Sequence, residues 1–364
     1  MFKIYRDKKI LVTGHTGFKG SWLISWLKLI GADVVGISLP NENDESLFAS
    51  TGIKNAIHDY RLDIRDADQL SKIIQDEKPD FIFHLAAQAL VRKSYIDPLL
   101  TWSTNLMGTV NVLDSLRKLD KKCSVIIITS DKCYDNVEWV WGYREHDRLG
   151  GPDPYSASKG SAELAINSYV KSFFNEATNI SICSARAGNV IGGGDWSDDR
   201  IIPDCVKAWS KNQKVILRNP HSTRPWQHVL EPISGYLRLG NSLYKDNKLH
   251  GEAFNFGPNT NEDQSVLDIV KKMSEFWDDV IWDTENDTQN FYESGLLKLN
   301  CDKARSMLDW HAVLGFDQTM KFTAEWYKEY YNNSNMYEYT KQQIKDYISY
   351  AKSQNIKWVD ELIF

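Results

Sequence analysis

Residues 8–20 read KKILVTGHTGFKG, and the reading of this stretch decides the fold. Ile10, Leu11 and Val12 form a short apolar run of the kind that makes a buried strand. Gly14, Gly17 and Gly20 then recur at i, i+3 and i+6, and the residues after them, SWLISWLKLIG, carry apolar side chains at helical spacing. Glycine here permits a tight strand-to-helix turn and lets the backbone approach a pyrophosphate, which the free N–H groups and positive end of a helix would hold. A glycine triplet alone is a weak signal. Placed between an apolar strand and an amphipathic helix, it is a strong one.

Outward from this turn the pattern repeats. DVVGISL (33–39), DFIFHLAA (80–87), SVIIITS (124–130) and NISICSARAG (179–188) are apolar runs without in/out alternation. Between them lie helical stretches: LSKIIQDEKP (70–79), TWSTNLMGTVNVLDSLRKL (101–119) and YSASKGSAELAINSYVKSFF (155–174). Such an order predicts an α/β fold, a doubly wound parallel sheet covered on both faces. The alternation breaks after Ala187. We therefore expect a dinucleotide-binding domain over 1–187 and a smaller, mixed α/β substrate lobe over 188–330. A polar helical extension over 331–364 is expected to serve packing or oligomer contact.

Composition narrows the function. The 364 residues carry 43 Lys+Arg against 49 Asp+Glu, a net charge of −6, which argues against a nucleic-acid surface. No segment approaches the ~20 apolar residues of a membrane span, and MFKIYRDKKILVTG lacks the layout of a secretory signal. The five cysteines are scattered and form no CxxC pair, so neither a disulfide framework nor a metal cluster is expected, and the chain reads as cytoplasmic.

Two segments carry chemistry. Tyr155 and Lys159 stand at i, i+4, on one face of a helix. A tyrosine titrates near pH ~10, and a lysine ammonium one turn away, together with a nearby nicotinamide cation, would stabilise the phenolate and lower that value. Thr129-Ser130-Asp131-Lys132 ends an apolar strand, at the edge where active groups collect in open α/β sheets. For the dinucleotide, the second strand ends in Ser38 rather than the usual Asp or Glu. No arginine is read nearby for a 2′-phosphate, so NAD is favoured over NADP. Asp63 and Ile64 are placed to meet the adenine. A helix N-cap is the competing role for Asp63.

TGHTGFKG, HLAAQ at 84–88, Asn105 in TNLMGT, TSDK and YSASK occur in the order and spacing of the extended short-chain dehydrogenase/reductases, with a Rossmann-type core. The chain resembles that NAD-dependent epimerase/dehydratase family to about residue 330. Within it, TGHTGFKGSWL, LAAQALVRKSY, TSDKCYDN and ARAGNVIGGGDW look like the branch that dehydrates CDP-glucose.

The resemblance implies a nucleotide-sugar 4,6-dehydratase, with NAD held by Gly14, Thr16, Gly17, Phe18, Lys19, Gly20, Asp63, Ile64, Leu85, Ala86, Ala87, Asn105, Tyr155 and Lys159. It implies Ser130, Tyr155 and Lys159 as a hydride-transfer triad, and Asp131 and Lys132 as the dehydration pair. Lys132 stands where the dTDP-glucose branch has a glutamate, so it is either the base or a charge that stabilises an enolate. Asn189, Arg200, Arg218 and Arg224 are the candidates for the nucleotide-sugar diphosphate, CDP-glucose first among them. Trp196 is read equally as a base-stacking or a core residue, and His15 and His84 as structural hydrogen-bonding groups. Helices near 100–118 and 155–174 suit a homodimer, or a homotetramer built from it. The resemblance also points to deoxysugar biosynthesis for O-antigen. The rival readings are a dehydratase of another nucleotide sugar, a 4-epimerase, and a silent NAD-binding scaffold.

Overall fold

The computed structural model describes residues 2–40, 44–175, 178–217, 219–258, 264–277, 280–284 and 296–359. Strands β1 (Lys9–Thr13), β2 (Asp33–Ser38), β3 (His58–Arg61), β4 (Phe81–His84), β5 (Cys123–Ile128), β6 (Ile180–Ala187) and β7 (Ala253–Phe256) form one sheet. Their order is β7-β6-β5-β4-β1-β2-β3, and every pairing is parallel. The order reverses between β1 and β4. That switch point lies beside the glycine turn, where doubly wound sheets bind dinucleotides.

The absence of alternation has a simple cause: both faces are covered. Ile10 and Val12 point into one core with Trp22, Trp26 and Leu237, while Leu11 points into the other with Leu70, Leu113 and Ile166. The first face is covered by α1 (Phe18–Ile30). On the second lie α2 (Ala67–Glu77), α3 (Gly108–Leu116) and α4 (Pro154–Phe173). The helix predicted over 101–119 is not continuous. A helical segment Pro98–Trp102 runs through a π turn, Ser103–Met107, into α3. A wide turn of this kind, unreadable from apolar spacing, often marks a functional position, and this one holds Asn105.

The second half does not stand apart from the first. Strand β7, from within the segment 188–330, pairs along β6 and closes the sheet edge. Helices α5 (Ile201–Trp209) and α6 (Leu230–Lys245) follow the last parallel crossover, and α6 covers β5 and β6. At the end of the chain, α7 (Phe316–Tyr331) packs on α8 (Met336–Ser353), and α8 returns to the first helix.

The expected polar extension is thus a packing element. Ile344, Tyr347, Ile348 and Ala351 are buried, and the Tyr347 ring meets Trp26 edge-on at 5.7 Å. The Tyr347 hydroxyl lies 2.9 Å from Glu231 Oε2 and 3.0 Å from Ser234 Oγ, inside α6. The same carboxylate accepts from the backbone N–H groups of Val313 and Leu314. One buried acid therefore ties three parts of the chain together. Trp196 settles as a core residue, buried against Tyr327 and Tyr330.

Among the described residues no helix is long and apolar enough to cross a membrane. The five cysteines are free and buried. Replacing Tyr347 by Phe should cost about 1–2 kcal/mol, read as a lower urea midpoint at unchanged m-value.

Candidate active site

The turn after β1 is built for close approach. Gly14 has φ +75°, and a Cβ there would sit 2.7 Å from the Ala86 nitrogen; one on Gly20 would sit 2.1 Å from the Gly14 oxygen. The loop thus curls directly against the Leu85-Ala86-Ala87 segment that ends β4, with Leu85 N–H bonded to Thr13 O. Gly17 caps α1 without a side chain. The first-turn N–H groups are therefore left for a ligand anion. These residues fit a dinucleotide pyrophosphate.

Thr16 hydroxyl meets Ser38 hydroxyl at 2.7 Å, so the residue standing in place of the usual acid is bound to the loop itself. Contrary to the reading of the sequence, an arginine does stand beside Ser38. Arg61 is its partner in the β2–β3 register, but its guanidinium is engaged by Asp59 at 2.7 Å and by Leu39 O at 3.2 Å. Asp63 is gripped by Arg65 through its carboxylate oxygens, and that pairing holds its carboxyl below the usual range. The cap of α2 is Asp66, not Asp63. Ile64 is buried against Gly108.

The two histidines are structural. His84 meets the Thr13 hydroxyl at Nδ1 and the Thr109 hydroxyl at Nε2, and burial drives its pKa down to about 3. His15 bonds Asp59 at 2.9 Å and is held below its ordinary value by burial. Asn105, in the π turn, is buried and donates to Gln88 O and to Ser158 Oγ, three residues beyond Tyr155. No group of three His, Cys, Asp or Glu among the described residues could hold a metal ion.

At the carboxyl ends of β5 and β6 the remaining predicted groups come together. Ser130 caps the turn Asp131–Cys133, and its hydroxyl donates to Asp131 Oδ1 at 2.9 Å. Asp131 is 2% exposed, and its Oδ2 is buried with no hydrogen-bond partner among the described residues. Burial raises its pKa, against the charges of Lys132 and Lys19 and the Ser130 bond.

Tyr155 and Lys159 are buried on α4. Burial pushes Lys159 down to about 8, with Cys133 and Glu163 opposing. For Tyr155 the neighbouring lysine alone does not lower the phenol. Burial lifts it to about 12, while its bond to Ser130 and the charge of Arg200 pull the other way. The protein's own groups leave it a phenol at neutral pH. Its activation calls for further positive charge in the cleft.

Arg200 belongs to this site: its charge reaches Tyr155 and Lys19, and it pairs with Asp195 at 2.6 Å. Lys19, predicted for the cofactor, feels Arg200, Asp131, Lys159 and Asp195, and burial lowers it to about 8. Asn189 lies at the mouth of the sheet, its carbonyl accepting from Gln227 N–H. Arg224 lies in the two-residue strand Thr223–Arg224, next to Pro225, which approaches Gly188. Arg218 lies outside the described residues.

The reading of the sequence missed Glu163 and the role of Arg186. These two form a fully buried pair behind the site. An acid and a base 23 residues apart in the sequence give no periodic signal; only the position of Glu163 one turn beyond Lys159 pointed to the catalytic face.

The GDP-mannose 4,6 dehydratase family matches residues 11–323 of this chain. The CDP-glucose 4,6-dehydratase of Salmonella typhimurium is 46% identical over 352 residues, 95% of this chain and 97% of that one. A UDP-glucuronic acid 4-epimerase from Bacillus cereus, solved with UDP-glucuronic acid and NAD, superposes with a TM-score of 0.73 at 25% identity. It covers 89% of this chain and 100% of its own. The dTDP-glucose 4,6-dehydratase of Bacillus anthracis, solved with NAD, shares the fold with a TM-score of 0.72 at 21% identity, covering 91% and 99%. With its glycine turn, its seven-stranded parallel sheet and its YxxxK helix in place, the chain belongs to the GDP-mannose 4,6 dehydratase family of the extended short-chain dehydrogenase/reductases.

Proposed function

We propose that this chain is a nucleotide-sugar 4,6-dehydratase that converts CDP-glucose to CDP-4-keto-6-deoxyglucose with NAD. One observation carries the reading beyond its relatives' names. Asp131 is a buried carboxyl of raised pKa, bonded to Ser130, with one oxygen unpartnered. A 4-epimerase needs only the oxidising groups, whereas eliminating water needs a proton donor for the leaving hydroxyl.

Tyr155 accepts the proton of the sugar's C4 hydroxyl, with Ser130 hydrogen-bonded to the phenol and Lys159 one turn behind it. Held by the glycine turn, NAD would supply the acceptor for the C4 hydride, the donor of that hydride to C6 and, before its reduction, a positive charge in the cleft. The new 4-ketone acidifies the C5 proton. Either Lys132 removes that proton, or it holds the resulting enolate by its charge while another group takes the proton; Asp131 in its acid form protonates the departing C6 hydroxyl. Asn189, Arg200 and Arg224 bind the diphosphate side of the substrate; arginine suits this because its charge is permanent and bidentate.

Dinucleotide use and five buried free cysteines support a cytoplasmic enzyme. Leu99 is 81% exposed and Leu164 61% exposed on neighbouring helical segments, which supports a homodimer formed through them.

Three outcomes are expected. Purified protein given CDP-glucose and NAD should form a 4-keto sugar, seen by its alkaline absorbance; product from UDP- or dTDP-glucose alone would move the substrate, and a C4 epimer alone would replace the reading. Asp131→Asn should lower kcat roughly 10²- to 10⁴-fold while reduced nicotinamide accumulates on the enzyme, because oxidation at C4 precedes the blocked step. On the alkaline side, kcat should fall as pH rises through about 8, where Lys159 loses its proton, read from a pH–rate profile at saturating substrate.

A further inference from the structure

Glu163 lies one turn beyond Lys159 on α4, fully buried, and its carboxylate is completely occupied. Oε1 accepts from Thr129 Oγ1 at 2.5 Å and from Arg186 Nε at 3.0 Å. Oε2 accepts from Ser184 Oγ at 2.8 Å and from Arg186 Nη2 at 2.7 Å. Arg186 turns its third nitrogen the other way, to the Tyr134 hydroxyl at 2.8 Å and Glu145 O at 2.9 Å. Thr129 and Tyr134 are the residues immediately before and after Ser130-Asp131-Lys132-Cys133. The ion pair therefore grips both ends of the turn that carries the elimination groups, from the helix that carries Tyr155 and Lys159.

Stability does not explain it. A buried ion pair is often no better than well-packed apolar residues of the same volume, and the surrounding core is rich in such residues. What an ion pair with every lone pair assigned does provide is a single allowed geometry. The fit is tight at the next residue too: a Cβ on Gly160 would lie 3.1 Å from Cys133 O, so helix and turn touch backbone to backbone.

We propose that Glu163 is a positioning residue for the reaction, whose Arg186-fixed carboxylate holds the Ser130–Lys132 turn in register with Tyr155 and Lys159. The inference rests on the dehydratase reading. Its second effect is electrostatic: the Glu163 charge helps Lys159 keep its proton. Lys159 is also faced by Tyr155 on the same helix, Cys133 on the turn, His84 at the end of β4 and Lys19 at the start of α1. Among the described residues, Glu163 is thus the one carboxylate whose charge is found acting on it.

The test compares Thr129→Val, Glu163→Gln and Glu163→Asp in the full chain, assayed with CDP-glucose and NAD, with melting curves alongside. Thr129→Val removes a link but no charge. It should lower kcat roughly tenfold at unchanged KM, with the alkaline limb of the pH profile in place. Glu163→Gln should lower kcat roughly 100-fold and move that limb to lower pH, and Glu163→Asp should recover part of both. A kcat within about twofold of wild type in Thr129→Val, and in Glu163→Gln if it folds, with only the melting temperature reduced, would overturn the proposal. Thr129→Val decides alone if Glu163→Gln does not fold. A wild-type chain that makes no 4-keto sugar removes the dehydratase reading instead, so the two failures are told apart.

Discussion

Desolvation is the constraint on which this cleft depends. At the carboxyl ends of β4, β5 and β6 the chain withdraws Asp131, Tyr155 and Lys159 from water, and withdrawal pushes each toward its neutral form. For Asp131 the result is a carboxyl that keeps its proton more readily than an exposed one. For Lys159 it is an amine that titrates close to physiological pH. For Tyr155 the effect runs against its task, because a phenolate is the harder species to form in an apolar site. The same physics that prepares the acid withholds the base: oxidation waits for positive charge to arrive, while the acid for elimination is already set by the fold and waits only for the 4-ketone.

Against that background Glu163 and Arg186 are the exception. Both are as deeply buried as Asp131, yet both keep their charges, because each has the other and a full set of hydrogen bonds. The contrast is instructive. Asp131 has one bonded oxygen and one bare oxygen, and it titrates upward; Glu163 has two satisfied oxygens and is held below the usual carboxylate range. Two acids near one site are separated in role by how completely their lone pairs are spoken for.

Much of this was legible in the sequence, for reasons that can be named. The strands were readable because a parallel sheet covered on both faces has no polar side to interrupt its apolar runs. The glycine turn was readable because Gly14 and Gly20 stand where a Cβ has no room. That Tyr155 and Lys159 share a helix and that Ser130 and Asp131 follow a strand was readable from helical spacing and an apolar run; their roles rested on the resemblance. What stayed hidden involved long separations or broken periodicity. The π turn at Ser103–Met107 keeps an ordinary helical composition. Arg61 reaches Ser38 only through strand pairing, and the Glu163–Arg186 pair joins a helix to a strand that no spacing rule connects. The tail from 331 onward looked polar because one face of α8 is, while the other is buried on α1 and α6.

That last arrangement bears on how the molecule is made. The helix that opens the nucleotide-binding turn is formed from residues 18–30, but its Trp22 and Trp26 lie in the core that Tyr347, near the end of α8, helps to close. While the chain is being synthesised, Trp22 meets Gly193 and His228 first, but Trp26 lacks its Tyr347 cover until more than three hundred further residues have left the ribosome. That helix is thus sealed late, by a part of the chain far from it in sequence, and the nascent protein carries an apolar surface at Trp26 that favours chaperone capture over early, domain-by-domain folding.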